Sequence, residues 1–265
     1  ALREEALALR EIVGVGPEIW YFNGPCRETA ADMLARGVAP LLNDPAQAAL
    51  ARETAREAGR PFPCGLQLDT GMNRLGLEPE ELTALTAGDG LAGLDLRLLL
   101  SHLACADDAA PPMNATQREV FEAMTSAPAL AGVPRSLSAT GGALMGPAFA
   151  YDMVRPGIGL YGGLPFDAAE AVVRLDAPVL QIRAVAPGEA VGYGAAWTAR
   201  RPSRVATVAA GYADGLIRAM GPHARAFHEG AALPFAGRVS MDLVTLDVTD
   251  APALRPGDTV RLLGA

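Results

Sequence analysis

The sequence predicts an α/β fold: a (β/α)8, TIM-like barrel that is incomplete, with about six units visible, followed by a truncated, mostly β domain. Two observations predict it. In the first two thirds of the chain, apolar runs alternate with segments of helical period, which is typical of a parallel sheet built from βα units. After about residue 175, apolar runs follow one another with turns and little helix. We therefore predict domains at 1–172 and 173–265.

Local signals place the individual elements. Leu2, Ala6, Leu9 and Ile12 recur on one face of a first helix. Asp44-Pro45 has the residue types of an N-cap and a first helical position. The predicted barrel helices are 1–12, 26–36, one from 45, one from 79, and 114–126, and the predicted strands are 18–24, 39–44, 62–70, 96–104, 135–140 and 152–163. The β domain is predicted from APVLQIRAVA, RVATVAAGYA, LPFAGRVSM and LVTLDVT.

Polar side chains stand at the carboxyl ends of four predicted strands. They are Asp69, His102, Thr140 and Arg155. Barrels and open α/β sheets place their active sites at this edge. The sequence therefore predicts a site there.

Composition excludes several classes of function. The net charge of −8 and the isoelectric point near 5.0 argue against nucleic acid and anionic membranes as partners. No apolar run is long enough for a membrane span. Three cysteines without CxxC spacing fit neither a disulfide framework nor a metal site. We expect a cytoplasmic protein without a metal.

Six motifs stand in a fixed order along nearly the whole chain. The motifs are LDTGMNRLGL (68–77), SHLACADD (101–108), VRPGIGLYGG (154–163), VGYGAAWTA (191–199), AGYADGLIR (210–218) and GRVSMDLV (237–244). Together they resemble the alanine racemase family, whose cofactor is pyridoxal 5'-phosphate (PLP).

The resemblance implies interconversion of L-alanine and D-alanine, which supplies D-alanine for peptidoglycan. A proton leaves one face of the alanine Cα and returns on the other, so two bases must flank it. One is the lysine that holds PLP, and the other is a tyrosine from the partner subunit of a homodimer with shared sites, here Tyr193. An unperturbed phenol has a pKa near 10 and needs help to act as a base. The resemblance assigns this help to His102 and Arg155.

The cofactor contacts implied by the resemblance come from three segments. Arg155 points at the pyridine nitrogen and, being able only to donate, keeps it unprotonated. The amides of Gly157 and Ile158 and the hydroxyl of Thr140 bind the phosphate, with His102 nearby. This chain has Ala139 where the family has asparagine. A plain turn at Thr140 is the alternative interpretation.

Further residues match the substrate end of the family site. Arg74 matches an arginine at the PLP ring oxygen and the substrate carboxylate. Met241, Asp242 and Tyr212 match residues that line the substrate's access and limit its size. Gln67 stands where some members carry a carbamylated lysine, so Arg74 needs another acceptor or a bound anion. Gln67 can equally be a polar residue of a barrel strand.

The chain contains no lysine. Because it begins within a helical pattern and ends after a strand-like run, we expect a fragment that lacks the PLP lysine and a C-terminal tyrosine and is inactive alone. The alternatives are a lysine-free PLP-binding pseudoenzyme, a racemase of another small amino acid such as serine, and an unrelated sugar-binding barrel.

Overall fold

The computed structural model describes residues 2–221 and 223–264. The chain divides into two compact units, one up to residue 168 and the other from residue 169. We call them the N-terminal and C-terminal units and describe each by itself. Within the described residues, no helix combines the length and the apolar character needed to cross a membrane.

The N-terminal unit is built on a five-stranded parallel sheet in the order β1-β2-β3-β4-β5. Each strand neighbours the next one along the chain, as in a barrel wall, and helices connect them. The predicted α/β class is confirmed. The elements are α1 (Arg3–Val13), β1 (Ile19–Tyr21), α2 (Ala30–Arg36), β2 (Val38–Leu42), α3 (Pro45–Ala58), β3 (Phe62–Gln67), α4 (Pro79–Thr86), β4 (Leu94–Leu100), α5 (Met113–Thr125), β5 (Arg135–Ser136), α6 (Thr140–Leu144) and α7 (Pro147–Ala150).

Helix α3 shows how local chemistry sets an element's ends. The carboxylate of Asp44 accepts a hydrogen bond of 2.8 Å from the Gln47 amide. Pro45 occupies the first turn, where no amide donor is needed. Gly59 ends the helix with φ of 64°, a left-handed conformation that favours glycine. The N-cap predicted at Asp44 is present.

The strands bury both of their faces. Leu42, Leu66 and Leu99 pack with Phe121 of α5 on the helix side. On the opposite face, Leu41, Leu98 and Leu100 form a cluster with Trp20 and Met153. Because side chains alternate along a strand, His102 continues the face of Leu98 and Leu100. The inner face of the sheet thus leads to the predicted site.

One strand carries a buried cysteine. Cys64 of β3 has no exposed surface. Burial raises the pKa of its thiol to about 12. The thiol therefore stays protonated near neutral pH.

The prediction of a strand at 152–163 is wrong. Arg155 makes only an isolated parallel bridge with Ala139, and residues 158–161 form a 3₁₀ turn. Pro156, which lacks an amide donor, and the glycines that follow it disfavour a ladder. The predicted strand 135–140 is also shorter, because Thr140 begins α6.

The C-terminal unit has a six-stranded antiparallel sheet in the order β11-β10-β13-β6-β9-β12 and a two-stranded β7-β8 pair. Apolar side chains such as Val179, Ala206, Leu246 and Val260 form its core. The predicted mostly β architecture is confirmed. The strands are β6 (Leu175–Val185), β7 (Ala190–Val191), β8 (Trp197–Thr198), β9 (Ser203–Val208), β10 (Arg225–His228), β11 (Ala231–Pro234), β12 (Val244–Asp247) and β13 (Thr259–Leu263).

Candidate active site

A cleft of about 480 Å³ lies at the carboxyl ends of the parallel strands in the N-terminal unit. Small-molecule sites commonly have this size and position. Five residues assigned from the sequence line the cleft: His102, Thr140, Arg155, Gly157 and Ile158. The structure therefore brings together residues that are as much as 56 positions apart in the chain.

Arg155 is the charged centre of the cleft. Its guanidinium donates to the Ser136 hydroxyl, to the Ser101 carbonyl at 2.7 Å and to the Leu137 carbonyl at 3.3 Å. All three acceptors are neutral, and no aspartate or glutamate of the described residues pairs with it. Burial lowers the pKa of Arg155 to about 10, so it remains a cation near neutral pH. A buried positive charge is thus left without a counter-charge.

His102 lies beside Arg155, with its Nδ1 3.4 Å from the guanidinium Nη2. Since a guanidinium can only donate, Nδ1 accepts, and the proton of the neutral ring is assigned to Nε2. Burial, the charge of Arg155 and the charge of Arg74 lower the pKa of His102, in that order. The ring is therefore neutral near pH 7 and offers an Nε2–H donor.

Thr140 organises the turn after Arg155. Its hydroxyl oxygen accepts hydrogen bonds from the amides of Gly157 and Gly159, both at 3.1 Å. No described residue accepts from the Ile158 amide, which lies at the start of the 3₁₀ turn. The three residues predicted to meet a phosphate are therefore adjacent. In this arrangement, however, the amide of Gly157 is taken by Thr140.

A matched pair of glycines tests this turn. A Cβ at position 159 lies 2.7 Å from Thr140 Cγ2, whereas a Cβ at position 157 meets nothing within 4 Å. We expect Gly159→Ala to lower the free energy of unfolding by about 1–3 kcal/mol, because the crowded threonine must move. Gly157→Ala should cost less than about 1 kcal/mol. Denaturant unfolding measures both, and equal losses would contradict the role given to Thr140.

Arg74 lies on an exposed loop between Leu68 and Leu77. The carboxylate of Asp69 orders this loop by accepting from the amides of Gly71 and Asn73 at 2.8 and 3.1 Å. Gln67 is buried, and its Nε2 donates to the Leu75 carbonyl at 3.2 Å. Gln67 therefore holds the chain next to Arg74 through Nε2, while its buried Oε1 has no hydrogen-bond partner among the described residues.

The remaining assigned residues lie in the C-terminal unit. Tyr193 begins a 3₁₀ turn and has a relative exposure of 66%. The amides of Tyr212 and Ala213 donate to the carbonyls of Ser240 and Met241 at 3.0 and 2.9 Å. Tyr212, Met241 and its neighbour Asp242 are thereby gathered on two paired segments. Gly211 permits this, because a Cβ there would lie 2.1 Å from the Met241 carbonyl oxygen.

Sequence analysis missed residues that support the cleft. Ser136 accepts from Arg155 through its hydroxyl, and Ser101 does so through its carbonyl. The alternation of Ser136, Ser138 and Thr140 was an available signal, since it places three hydroxyls on one face. Gln117 lies behind His102 on α5 and offered no such pattern.

Comparisons with known proteins identify the family of this chain. The model of the alanine racemase N-terminal domain matches residues 1–165, and that of the C-terminal domain matches residues 172–265. An alanine racemase from Cereibacter sphaeroides is 49% identical over 261 residues, which are 98% of this chain and 72% of that protein.

Two solved structures share the architecture. Alanine racemase from Bartonella henselae with covalently bound pyridoxal phosphate has a TM-score of 0.91 at 34% identity, over 100% of this chain and 75% of its own. Biosynthetic alanine racemase from Pseudomonas aeruginosa has a TM-score of 0.90 at 35% identity, with the same coverage. The chain belongs to the alanine racemase family.

Proposed function

We propose that this chain is the PLP-binding and tyrosine-bearing part of an alanine racemase that interconverts L-alanine and D-alanine and supplies D-alanine for peptidoglycan. One observation carries the proposal. A buried arginine without a counter-charge contacts a neutral histidine at the carboxyl ends of parallel strands, in a chain of this family.

The cleft fits PLP. The buried guanidinium of Arg155 can only donate hydrogen bonds, and a pyridine nitrogen is an acceptor that suits it. The open Ile158 amide and the Thr140 hydroxyl lie where hydrogen bonds to a phosphate are expected. When bound, PLP would supply the electron-withdrawing group that makes the alanine Cα–H acidic. We assign Arg155 to the ring nitrogen and Gly157, Ile158 and Thr140 to the phosphate.

We assign transfer of the alanine Cα proton to Tyr193, assisted by His102 and Arg155. Tyr193 takes or returns the Cα proton through its phenolic oxygen. His102 can donate from Nε2 to that oxygen while Nδ1 accepts from Arg155, so the cation of Arg155 favours negative charge on the phenol. Arg74 is assigned to the substrate carboxylate. These roles rest on the family resemblance and on the Arg155–His102 contact.

We propose that the protein is a homodimer in which Tyr193, Tyr212, Met241 and Asp242 serve the partner's site. Their exposure supports this, since Tyr193 and Met241 have relative exposures of 66% and 54%. Alanine is the proposed substrate. Serine remains a competitor, because one small group changes binding in a pocket by only about 1–3 kcal/mol. The free cysteines fit the cytoplasm.

Because the chain contains no lysine, the proposal predicts exchange of the α proton of alanine without racemisation. With one of two bases missing, this 265-residue chain should not interconvert the alanines when PLP is added, but it should exchange the α proton of one enantiomer. We would incubate the chain and PLP with L-alanine or D-alanine in D₂O. Proton NMR follows the α signal, and chiral chromatography follows the configuration.

PLP without protein is the reference for the same experiment. Exchange above this reference for one enantiomer, with configuration retained, supports the proposal. Exchange no faster than with PLP alone for both enantiomers would contradict it. Net conversion by this chain would show that the reaction does not need a lysine.

A further inference from the structure

A buried amide on helix α5 links the segments that carry the site. Gln117 has no exposed surface. Its Oε1 accepts from the Ala104 amide at 2.8 Å, and its Nε2 donates to the His102 carbonyl at 2.9 Å and to the Thr70 hydroxyl at 3.1 Å. Both amide protons and the oxygen are used, so the orientation of this amide is determined by its partners.

Gln117 takes the place of a neighbouring strand. The last backbone bond from the β4 segment to the next strand is Ser101 N to Ser136 O, at 3.0 Å. Beyond it, the His102 carbonyl and the Ala104 amide have Gln117 as their sole hydrogen-bond partner among residues 2–221 and 223–264. A donor and an acceptor presented two residues apart are what a sheet ladder normally satisfies. The side chain of Gln117 therefore supplies, beyond Ser101, the two hydrogen bonds that a neighbouring strand would make to this segment.

The same amide is also connected to Arg155 by a chain of hydrogen bonds through Thr70 and Ser101. The Thr70 hydroxyl accepts from Gln117 and shares a hydrogen bond of 2.8 Å with the Ser101 hydroxyl, in which either oxygen can be the donor. Ser101 in turn receives the guanidinium of Arg155 on its carbonyl. Thr70 also follows Asp69, whose carboxylate orders the loop of Arg74.

We propose that Gln117 is a positioning residue of the site, whose single amide holds His102 and the acceptor of Arg155 at contact distance. It touches neither substrate nor cofactor in this assignment and acts through the backbone of residues 101–104. The inference relies on the proposed function only in taking His102 and Arg155 as the working pair. Its test needs neither PLP nor alanine.

The test is Gln117→Met, which keeps the length of the side chain and removes its donors and acceptor. Nitrogen-15 and proton NMR of the full chain report the tautomer and the titration of His102. The charged groups around His102 are Arg155 and Arg74, which act on its pKa, and Asp107, which lines the same cleft. We expect the His102 midpoint to move upward and the preference for the Nε2–H tautomer to weaken, because the ring leaves Arg155. Loss of hydrogen-exchange protection at the Ala104 amide should accompany the change.

Thr125→Val is the matched control on the same helix. Thr125 is buried and donates to the Phe121 carbonyl at 2.8 Å, away from the cleft. It should lower stability without moving the His102 midpoint. If Gln117→Met loses stability but leaves the His102 midpoint and tautomer unchanged, Gln117 only supports the fold and the proposal is wrong.

Gln117→Glu covers the case in which the methionine variant does not fold. Its neutral carboxyl keeps an acceptor for Ala104 and one donor for His102. Burial favours the neutral form, so the donor is present at low pH and is lost as pH rises. Backbone signals of residues 102–104 should match those of the unmodified chain at low pH and diverge at high pH. Divergence that does not depend on pH would contradict the proposal.

Discussion

Replacing Arg155 by methionine is expected to raise the pKa of His102 and to weaken PLP binding by roughly 10- to 100-fold, the equivalent of one charge-assisted hydrogen bond. Burial is the largest cause of the lowered pKa of His102, and the charge of Arg155 is the second. The variant removes the charge and keeps the burial. The pKa should therefore rise towards, but not reach, its ordinary value of 6.5. NMR titration and PLP absorbance measure the two effects.

Arg135→Met is the control for this variant. Arg135 belongs to β5, and its guanidinium lies 4.9 Å from the centre of the Tyr151 ring, outside the cleft. Its loss should leave both the His102 titration and PLP affinity unchanged. An Arg155→Met protein with an unchanged His102 pKa would show that the 3.4 Å contact has no electrostatic role.

The lowered pKa of His102 also has a consequence for stability. The unfolded chain takes up this proton near pH 6.5, while the folded N-terminal unit resists it. The unfolded state therefore binds more protons in that window, and stability falls as pH drops from about the unfolded pKa through the folded one. In Arg155→Met the fall should be smaller. Denaturant unfolding between pH 7.5 and about pH 5 checks the sign.

Tyr193→Phe is expected to slow α-proton exchange from alanine by about 10²- to 10⁴-fold, the usual contribution of a general base. Because Tyr193 has a relative exposure of 66%, loss of its hydroxyl should leave the unfolding free energy nearly unchanged. The rate is read by proton NMR in D₂O with PLP present. Reduced exchange with an intact fold identifies the base.

Tyr21→Phe is the control for the tyrosine change. Tyr21 ends β1 and packs against Ile19 and Met33 on the helix side of the sheet. It should retain full exchange. If Tyr193→Phe exchanges as fast as the unmodified chain, another group takes the proton and the assignment of Tyr193 is wrong.

The pattern of apolar residues predicted β3 and β4. Side-chain hydrogen bonds explain why the same pattern failed at 152–163. Continuous apolar runs predicted β3 and β4, as expected for parallel strands that have both faces covered. The segment 152–163 looked equally apolar but is not a strand. There, the Thr140 hydroxyl takes the amides of Gly157 and Gly159 that a ladder would need. Because Thr140 contacts residues 17 and 19 positions further along the chain, its effect produces no pattern in the local sequence.

The same distinction applies to the candidate site. His102 could be predicted because it follows the end of a strand, where barrels gather polar groups. Arg155 follows no strand, and the motif VRPGIGLYGG was the signal that identified it. Gln117 could not, because it occupies a buried position of α5 where the helical pattern expects an apolar residue. Its role depends on three partners in two other segments. Only the assembled sheet places these partners around one amide.

The buried Cys64 of β3 allows the opening rate of the parallel sheet to be measured. A thiol reagent attacks the thiolate, and Cys64 offers almost none while it is enclosed, since burial raises its pKa to about 12. Reaction must therefore wait until β3 separates from its neighbours. Cys26 is exposed and reacts without that delay, so it serves as the internal reference. The reaction rate of Cys64 relative to that of Cys26 therefore measures how often the sheet that carries His102 opens.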